Sequence, residues 1–344
     1  CNRDTTEIDE WDGEWGLSYH CETCGFKEKG DLRTLKGAKL VWRVDWPMRW
    51  AYEKVDFEPA GKDHHSQGGS FDTSKHVVEE VYGRKPPVTF RYDFIGIKGS
   101  PGKMSSSKGK VVDLQDLLRV YQPEIVRYLF AGTRPNTEFV ISFDLDVIKI
   151  YEDYDRTERI YWGVEKAKNK EVEALERRIY ELSQVGKTPE EMPYQVPFRH
   201  LCNLLQIHLG NIDAVLSLLP GLKPSQEARV RRRAQCAWYW ITECAPEDFR
   251  FFLRKPGELA SLPEAETNAL RCLRDEVIER LDAYDSENEI AEAIYAVAQA
   301  SNIEPKKLFI AAYQALIGKD QGPRLAGFLR TLGKEKVLSI LKPY

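Results

Sequence analysis

The chain of 344 residues lacks several features that define common classes of protein. No stretch approaches the roughly 20 consecutive apolar residues of a membrane-spanning helix, which argues against a membrane protein. The sequence shows no signal-peptide pattern, and we therefore expect no signal peptide. The seven cysteines are odd in number and scattered, which argues against a disulfide scaffold and favours a reducing, cytoplasmic location. The net charge of −4 excludes a uniformly basic surface, but basic groups clustered on one face would still allow RNA binding.

The most informative segment is a loop dense in lysine, serine and glycine. It reads KMSSSKG over residues 103–109 and follows the apolar strand candidate FIGIKG at 94–99. Glycines let a backbone approach a polyphosphate closely, and ammonium and hydroxyl groups stabilise the negative charge that builds up there. We therefore predict a phosphate-binding loop. A solvated surface loop is the alternative for this run taken alone.

This run resembles the KMSKS motif of class I aminoacyl-tRNA synthetases, which activate an amino acid with ATP and pass it to tRNA. The segments WRVDWPMRW at 42–50 and FEPAGKDH at 57–64 resemble the class I form of lysyl-tRNA synthetase more narrowly. The similarity continues through residues 133–136, 151–156 and 318–325. It implies lysine, ATP and tRNA(Lys) as substrates, with Mg²⁺ bridging the phosphates and no DNA or membrane partner.

The HIGH motif of this family is absent from the sequence, and the first residue is Cys1. We therefore expect the chain to be the C-terminal part of a longer enzyme and to be inactive in adenylation by itself. Three alternatives stay open: a tRNA-binding module without activation chemistry, another class I synthetase of the glutamyl type, and a nucleotidyltransferase that does not use tRNA.

The predicted fold is α/β, the second half of a Rossmann-type catalytic domain, followed by a large all-α anticodon-binding domain. Four regions are expected: a zinc-knuckle-like remnant of an insertion, half of the catalytic domain, a connector that contacts the tRNA stem, and the helical domain. Their bounds are 1–38, 39–133, 134–164 and 165–344. Within the α/β region we expect strands at 39–44 and 88–97, and helices at 47 onward, 75–82, 114–120 and 123–131.

By resemblance, the phosphate loop contacts the pyrophosphate side of ATP. Its catalytic residues would be Lys103, Ser105, Ser107 and Lys108. Ser106 stands where many family members carry a mobile lysine, and we expect Lys108 to supply that charge. The residues expected to bind ATP are Gly61, Ile95, Ile97, Lys103, Met104 and Ser106.

A lysine substrate carries an ammonium on an alkyl stem, which favours an aromatic face and a carboxylate as partners. Resemblance assigns Trp42 to the stem and places His64 against the amino acid and adenylate. Asp45 is a candidate for the ammonium, and Asp63 would accept from a ribose hydroxyl or orient His64. The alternative is that the tryptophans are core and Asp45 caps a helix, and for Trp46 and Trp50 that alternative is favoured.

Cys21 and Cys24 form a CxxC pair whose spacing suits tetrahedral zinc, with Cys1 as a third ligand and a fourth expected upstream. A pair of reduced thiols in a β-hairpin is the alternative.

For tRNA, the basic run at 229–233 offers Arg231 and Arg232 for contacts with phosphates. The alternative is that the run is a solvated helix face. The candidates for anticodon bases are Lys319, Arg324 and Phe328.

Overall fold

The computed structural model describes residues 1, 3, 5–99 and 112–344. The predicted phosphate loop, with Lys103, Met104, Ser105, Ser106, Ser107 and Lys108, lies outside the described residues. The chain divides into two compact units, Cys1–Phe94 with Pro135–Glu138, and Ile95–Arg134 with Phe139–Tyr344. The bounds of the four predicted regions remain predictions. In the described part of the chain, no helix combines the length and apolarity needed to cross a bilayer.

The first unit begins with a three-stranded antiparallel sheet in the order β1–β2–β3. A small α/β part follows, in which β4 pairs in parallel with β5. Its core consists of Trp46, Trp50, Ala60, Phe71 and Val78. The elements are β1 (Thr6–Trp11), β2 (Gly16–Cys21), β3 (Lys27–Asp31), α1 (Trp42–Glu53), β4 (Ala60–Gly61), α2 (Ser70–Glu80) and β5 (Arg91–Tyr92).

The prediction of a strand at 39–44 is wrong, because α1 already begins at Trp42. The tryptophans at 42, 46 and 50 recur every four residues, which places them on one face of a helix rather than alternating across a strand. Trp46 and Trp50 on that face are buried. Pro47 therefore lies inside α1 instead of opening it.

Two further bounds in this region differ from prediction. Helix α2 starts at Ser70, five residues before the predicted start, because the buried residues Phe71, Ser74 and Val78 form one helical stripe. The strand predicted at 88–97 divides into β5 and β6 (Ile95–Ile97), which pair with different partners, β4 and β7.

The second unit combines a parallel pair of short strands, β6 and β7 (Phe139–Ile141), with twelve α-helices among its described residues. Two hydrophobic cores fill it, one around residues 117–245 and one dominated by residues 251–344. The helices are α3 (Leu114–Val120), α4 (Pro123–Ala131), α5 (Asp146–Tyr161), α6 (Lys170–Ser183), α7 (Phe198–Ile207), α8 (Ile212–Ser217), α9 (Pro224–Tyr239), α10 (Glu264–Cys272), α11 (Glu287–Ala300), α12 (Pro305–Ile317), α13 (Leu325–Leu332) and α14 (Lys334–Leu341).

The predictions for α3, α4 and the helical C-terminal region are confirmed. The Asp113 side chain accepts from the Asp116 backbone, and the Asp116 side chain accepts in return, which is a capping box at the start of α3. Pro123 opens α4. The region expected to be a connector contains β7 and the 16-residue helix α5.

Two ion pairs join α5 to α9, and the carboxylate of each pair is buried. The Arg233 guanidinium donates to both carboxylate oxygens of Asp155, at 2.9 and 2.5 Å, and the two residues are only 5% and 4% exposed. One turn earlier on α9, Arg229 donates to Glu158 at 2.8 Å. Burial raises the pKa of the Asp155 carboxyl, and Arg233 opposes that rise. The pairs account for two arginines of the basic run, since Arg229 and Arg233 face the interior.

We predict that Arg233→Met destabilises the fold by about 3–5 kcal/mol, because it leaves the buried Asp155 carboxylate unpaired. Urea unfolding of the chain measures this. Arg231→Met is the matched control on the same helix, since Arg231 pairs at the surface with Asp213 and Glu227, and its loss is expected to cost at most about 1 kcal/mol. Equal destabilisation by the two substitutions would contradict the assigned importance of the buried pair.

Candidate functional site

A cavity of about 640 Å³ opens in the first unit, where the start of α1 faces the loop that leads into α2. Strand β4 ends at this loop, and the ends of strands in parallel sheets are where α/β folds bind ligands. The residues that line the cavity are Val41, Trp42, Arg43, Asp63, Ser66, Gln67, Gly68, Gly69 and Ser70. Two of the predicted lysine-pocket residues, Trp42 and Asp63, therefore share one cavity.

Trp42 offers this cavity an aromatic surface. It is 50% exposed and stacks on Trp46, with ring centroids 5.1 Å apart and planes 24° apart. Trp46 and Trp50 belong to the core beneath it. The favoured interpretation of Trp46 and Trp50 as core residues is therefore confirmed, and Trp42 is the member of the helical row that can contact a ligand.

Asp45 does not line this cavity. Arg49, one turn along α1, donates from Nε to the Asp45 carboxylate at 2.7 Å. This hydrogen bond is the main cause of the raised pKa of Arg49. The structure thus gives the carboxylate proposed for the substrate ammonium a partner within its own helix. Asp63 is the carboxylate that lines the cavity.

The two adjacent histidines point in different directions. His64 lies within 2.6 Å of the Ser70 hydroxyl through Nδ1, and its ring meets Trp46 edge-on at 5.5 Å. His65 instead stacks on Phe71 at 4.6 Å and bonds through Nε2 to the Thr89 hydroxyl. His64 is therefore beside the cavity, and His65 supports the fold.

The glycines of the cavity loop are required by its backbone. Gly68 has a φ of +68°, in the region that favours glycine. At Gly69, a Cβ would lie 2.6 Å from the His64 carbonyl oxygen and 2.7 Å from the Ser66 carbonyl oxygen. The tight turn brings the backbone of the loop to the cavity wall.

The predicted ATP contacts other than the phosphate loop fall in both units. Gly61 is buried in β4 and pairs with Tyr92. In the second unit, Ile95 and Ile97 are half-buried in β6 and pair with Phe139 and Ile141.

Lys98 follows β6 directly and is held by two carboxylates, Asp144 at 2.8 Å and Asp146 at 2.5 Å. Lys98 is also the main reason that the pKa of Asp144 falls to about 2. These ion pairs fix the last turn of chain before the segment that carries the predicted phosphate loop.

The cysteines predicted to bind zinc do converge. The sulfur atoms of Cys1, Cys21 and Cys24 all lie within 4.8 Å of one another. The Thr5 hydroxyl, followed by the Cys24 backbone N–H, lowers the pKa of the Cys21 thiol to about 7, so much of it is the thiolate that metals bind. Three thiols at this spacing fit three corners of a zinc site.

The two arginines predicted to contact phosphates both form contacts with other residues of the protein. Arg231 pairs with Asp213 and Glu227, at 2.6 and 2.7 Å. Arg232 is exposed and donates to the Leu118 carbonyl at 2.6 Å. Of the two, Arg232 keeps an uncompensated charge among the described residues.

The residues predicted to contact anticodon bases differ in how accessible they are. Lys319 and Arg324 line a cleft of about 710 Å³ in the second unit. Lys319 donates to the Glu247 carbonyl at 2.6 Å. The stacking of Phe328 on a base stays a prediction: Phe328 lines the same cleft, but it is 2% exposed and packs edge-on against Phe251 at 5.3 Å, which leaves little of its ring accessible. Its ring is part of the core because the apolar face of α13 turns inward.

Sequence reasoning missed Arg43, Ser66 and Gln67 in the cavity. Their positions beside motif residues could have indicated a place in the site. Arg43 follows Trp42, and Ser66 and Gln67 lie within the GKDHHSQGGS segment at 61–70. It also missed Glu152, Arg199 and Asn203 in the cleft, because these residues are far in sequence from Lys319 and Arg324.

Comparison with known proteins gives two matches to protein families. Residues 1–186 match the family described as tRNA synthetases class I (K), and residues 243–343 match an anticodon binding domain. Among solved structures, a glutamate tRNA ligase from Elizabethkingia meningosepticum has a TM-score of 0.35 and 16% identity, covering 93% of this chain and 64% of that one.

Three similar curated proteins are named lysine–tRNA ligases. The protein from Treponema pallidum is 55% identical over 100% of this chain, that from Borreliella burgdorferi 50% over 100%, and that from Thermococcus kodakarensis 43% over 99%. The chain spans 65–66% of the length of these relatives. Because the first family match covers more than half of the sequence, the chain belongs to the class I tRNA synthetases of type K.

Proposed function

We propose that this chain is part of a lysine–tRNA ligase, which activates lysine with ATP and transfers it to tRNA(Lys). The observation that carries the proposal is the identity of 55% along the whole chain with a protein of that name. The cavity beside Trp42, Asp63 and His64 supports it, because it combines an aromatic face, a carboxylate and a glycine turn.

In the proposed reaction, the carboxylate of lysine attacks the α-phosphorus of ATP, and the bond to the departing pyrophosphate breaks. A ribose hydroxyl at the end of the tRNA then attacks the lysyl carbonyl, and AMP leaves. Mg²⁺ would neutralise charge on the phosphates. The protein requires no base for the first step, because the nucleophile is already ionised. It must position the reactants and stabilise charge on the leaving group.

Roles for individual residues follow from the same proposal. Trp42 would pack on the alkyl stem of lysine, and Asp63 would face its polar groups or those of the ribose. His64, held by Ser70, would contact the amino acid and adenylate. Lys103, Ser105, Ser107 and Lys108 would stabilise the pyrophosphate. The helical region would hold the anticodon, with Arg232 and Arg324 as cations on its surface.

We predict that Trp42→Ala raises the KM for lysine about tenfold, because it removes an aromatic face worth about 1–2 kcal/mol to a bound cation and its stem. Lysine-dependent exchange of pyrophosphate into ATP measures this in the protein at the length of its relatives. Trp11→Ala is the matched control, since Trp11 is similarly exposed, at 59%, and lies on β1 away from the cavity. An unchanged KM would exclude Trp42 from the lysine site, and activation of glutamate in preference to lysine would overturn the function.

We predict that the chain binds a tRNA transcript with the anticodon UUU more tightly than one with UUC, at the same near-physiological salt concentration. The reason is that lysine tRNA would be distinguished by unstacked bases of its anticodon loop. A titration monitored by fluorescence anisotropy measures both affinities. Equal affinities would indicate a protein that binds tRNA without reading the anticodon. Absence of binding would exclude the helical region as the part that holds the anticodon.

We further propose that Cys1, Cys21 and Cys24 hold Zn²⁺ together with a fourth ligand. We predict that protein purified from zinc-replete cells carries about one zinc per chain and that Cys24→Ser removes it, because a hydroxyl is a far weaker ligand than a thiolate. Elemental analysis measures the metal. Cys272→Ser, at a half-buried cysteine of α10, is the control that should retain zinc. Metal-free wild-type protein would leave these residues as reduced thiols.

A further inference from the structure

The cleft of about 710 Å³ in the second unit has two walls that come from distant parts of the sequence. One wall carries Glu152 of α5 with Arg199 and Asn203 of α7. The opposite wall belongs to the region matched by the anticodon-binding family model and carries Arg324 and Glu287. Aromatic and aliphatic side chains also line the cleft, among them Phe249, Phe251 and Ile317.

We propose that Glu152, Arg199 and Asn203 form a second base-reading wall, so that one unstacked nucleobase of the anticodon loop is recognised from both sides of this cleft. The inference rests on the proposed function, which supplies the tRNA. It assigns a recognition role to three residues outside the stretch 243–343 that matches the anticodon binding domain.

The polar groups of the cleft are available to a ligand. Within the described residues, the side chains of Glu152, Arg199 and Asn203 form neither a hydrogen bond nor an ion pair, and the same holds for Arg324 and Glu287. All five except Asn203 are exposed. Carboxylates and guanidinium groups in one cleft that do not neutralise each other can offer both acceptors and donors to a third molecule.

This mixture of charges fits a base better than a phosphate. A phosphate has only acceptors and would be repelled by Glu152, Asp248 and Glu287, which all line the cleft. The edge of a base carries donors and acceptors side by side, which guanidinium, carboxylate and amide groups can match. The half-buried ring of Phe249 in the lining suits the flat face of a base.

The second wall is held in place from beneath. The rings of Tyr151 and Phe198, which immediately precede Glu152 and Arg199, are stacked with centroids 3.8 Å apart. The Arg233 guanidinium lies 4.8 Å from the centre of the Tyr151 ring and is fixed by its buried pair with Asp155. Both recognition residues therefore extend from a rigid core, which lowers the entropy lost when a base binds.

The opposite wall is equally constrained. The Tyr313 hydroxyl donates to the Pro323 carbonyl at 2.5 Å, next to Arg324. A Cβ at Gly322 would lie 2.9 Å from the Ile317 side chain and 3.0 Å from the Tyr313 ring, so the loop packs directly on α12. Two rigid walls around one space favour recognition of a shape and a pattern of hydrogen bonds over a diffuse attraction to charge.

The test compares Arg199→Lys with wild type in binding to lysine tRNA transcripts, one with the anticodon UUU and one with each position changed in turn. The substitution keeps the charge and removes the planar fork that reads a base. We expect the affinity for the UUU transcript to fall about tenfold. The affinity for the transcript changed at the base in the cleft should fall less, and the salt dependence of binding should not change. The matched control is Arg178→Lys on the exposed side of α6, which should leave all affinities unchanged.

Glu152→Gln provides an independent variant, because it removes the charge while preserving size. If Glu152 contacts a base, the Glu152→Gln variant loses discrimination between transcripts at one anticodon position. Tighter binding of every transcript would instead mean that Glu152 only repels phosphates, and it would overturn the proposal. An equal loss for all transcripts in Arg199→Lys, or no loss, would also overturn it while leaving the proposed function intact. Failure of the wild-type chain to bind any transcript would overturn both.

Discussion

The buried contact between α5 and α9 is the constraint on which the second unit depends. Asp155 and Glu158 would be prohibitively costly to bury alone, so they require Arg233 and Arg229 at matching positions one helical turn apart. The pair formed by Arg233 also lies against Tyr151 and so reaches the stacked aromatic core. Polar groups at the centre of a core fix one packing arrangement, because any other would leave charges unpaired.

That constraint extends to the surface of the same unit. Residues on α5 and α7 that line the cleft are immediate sequence neighbours of the buried aromatics. A ligand site built on such a frame needs little reorganisation, and its specificity then depends on the direction of a few polar side chains. The proposed RNA site is a local arrangement of this kind, and it is compatible with the net negative charge of the protein.

The first unit follows a different principle. Its cavity is formed by backbone geometry and aromatic stacking rather than by buried charge. The row of tryptophans places one ring at the surface above two in the core, and the turn at Gly68 and Gly69 closes the other side. Because neighbouring carbonyls leave no room for a Cβ at Gly69, the turn tolerates no larger residue.

The sequence by itself determined the family, the α/β to all-α order, the cap at Asp113 and the CxxC spacing of Cys21 and Cys24, since each depends on a local motif. Cys1 reaches these two cysteines only through the pairing of β1 with β2. Only the tertiary structure decided which polar residues remain available. Asp45 is bound by Arg49, Arg233 is buried with Asp155, and Phe328 is in the core. A motif specifies residue type and spacing along one element, whereas exposure and pairing depend on the elements that pack against it, and these lie far away in the chain.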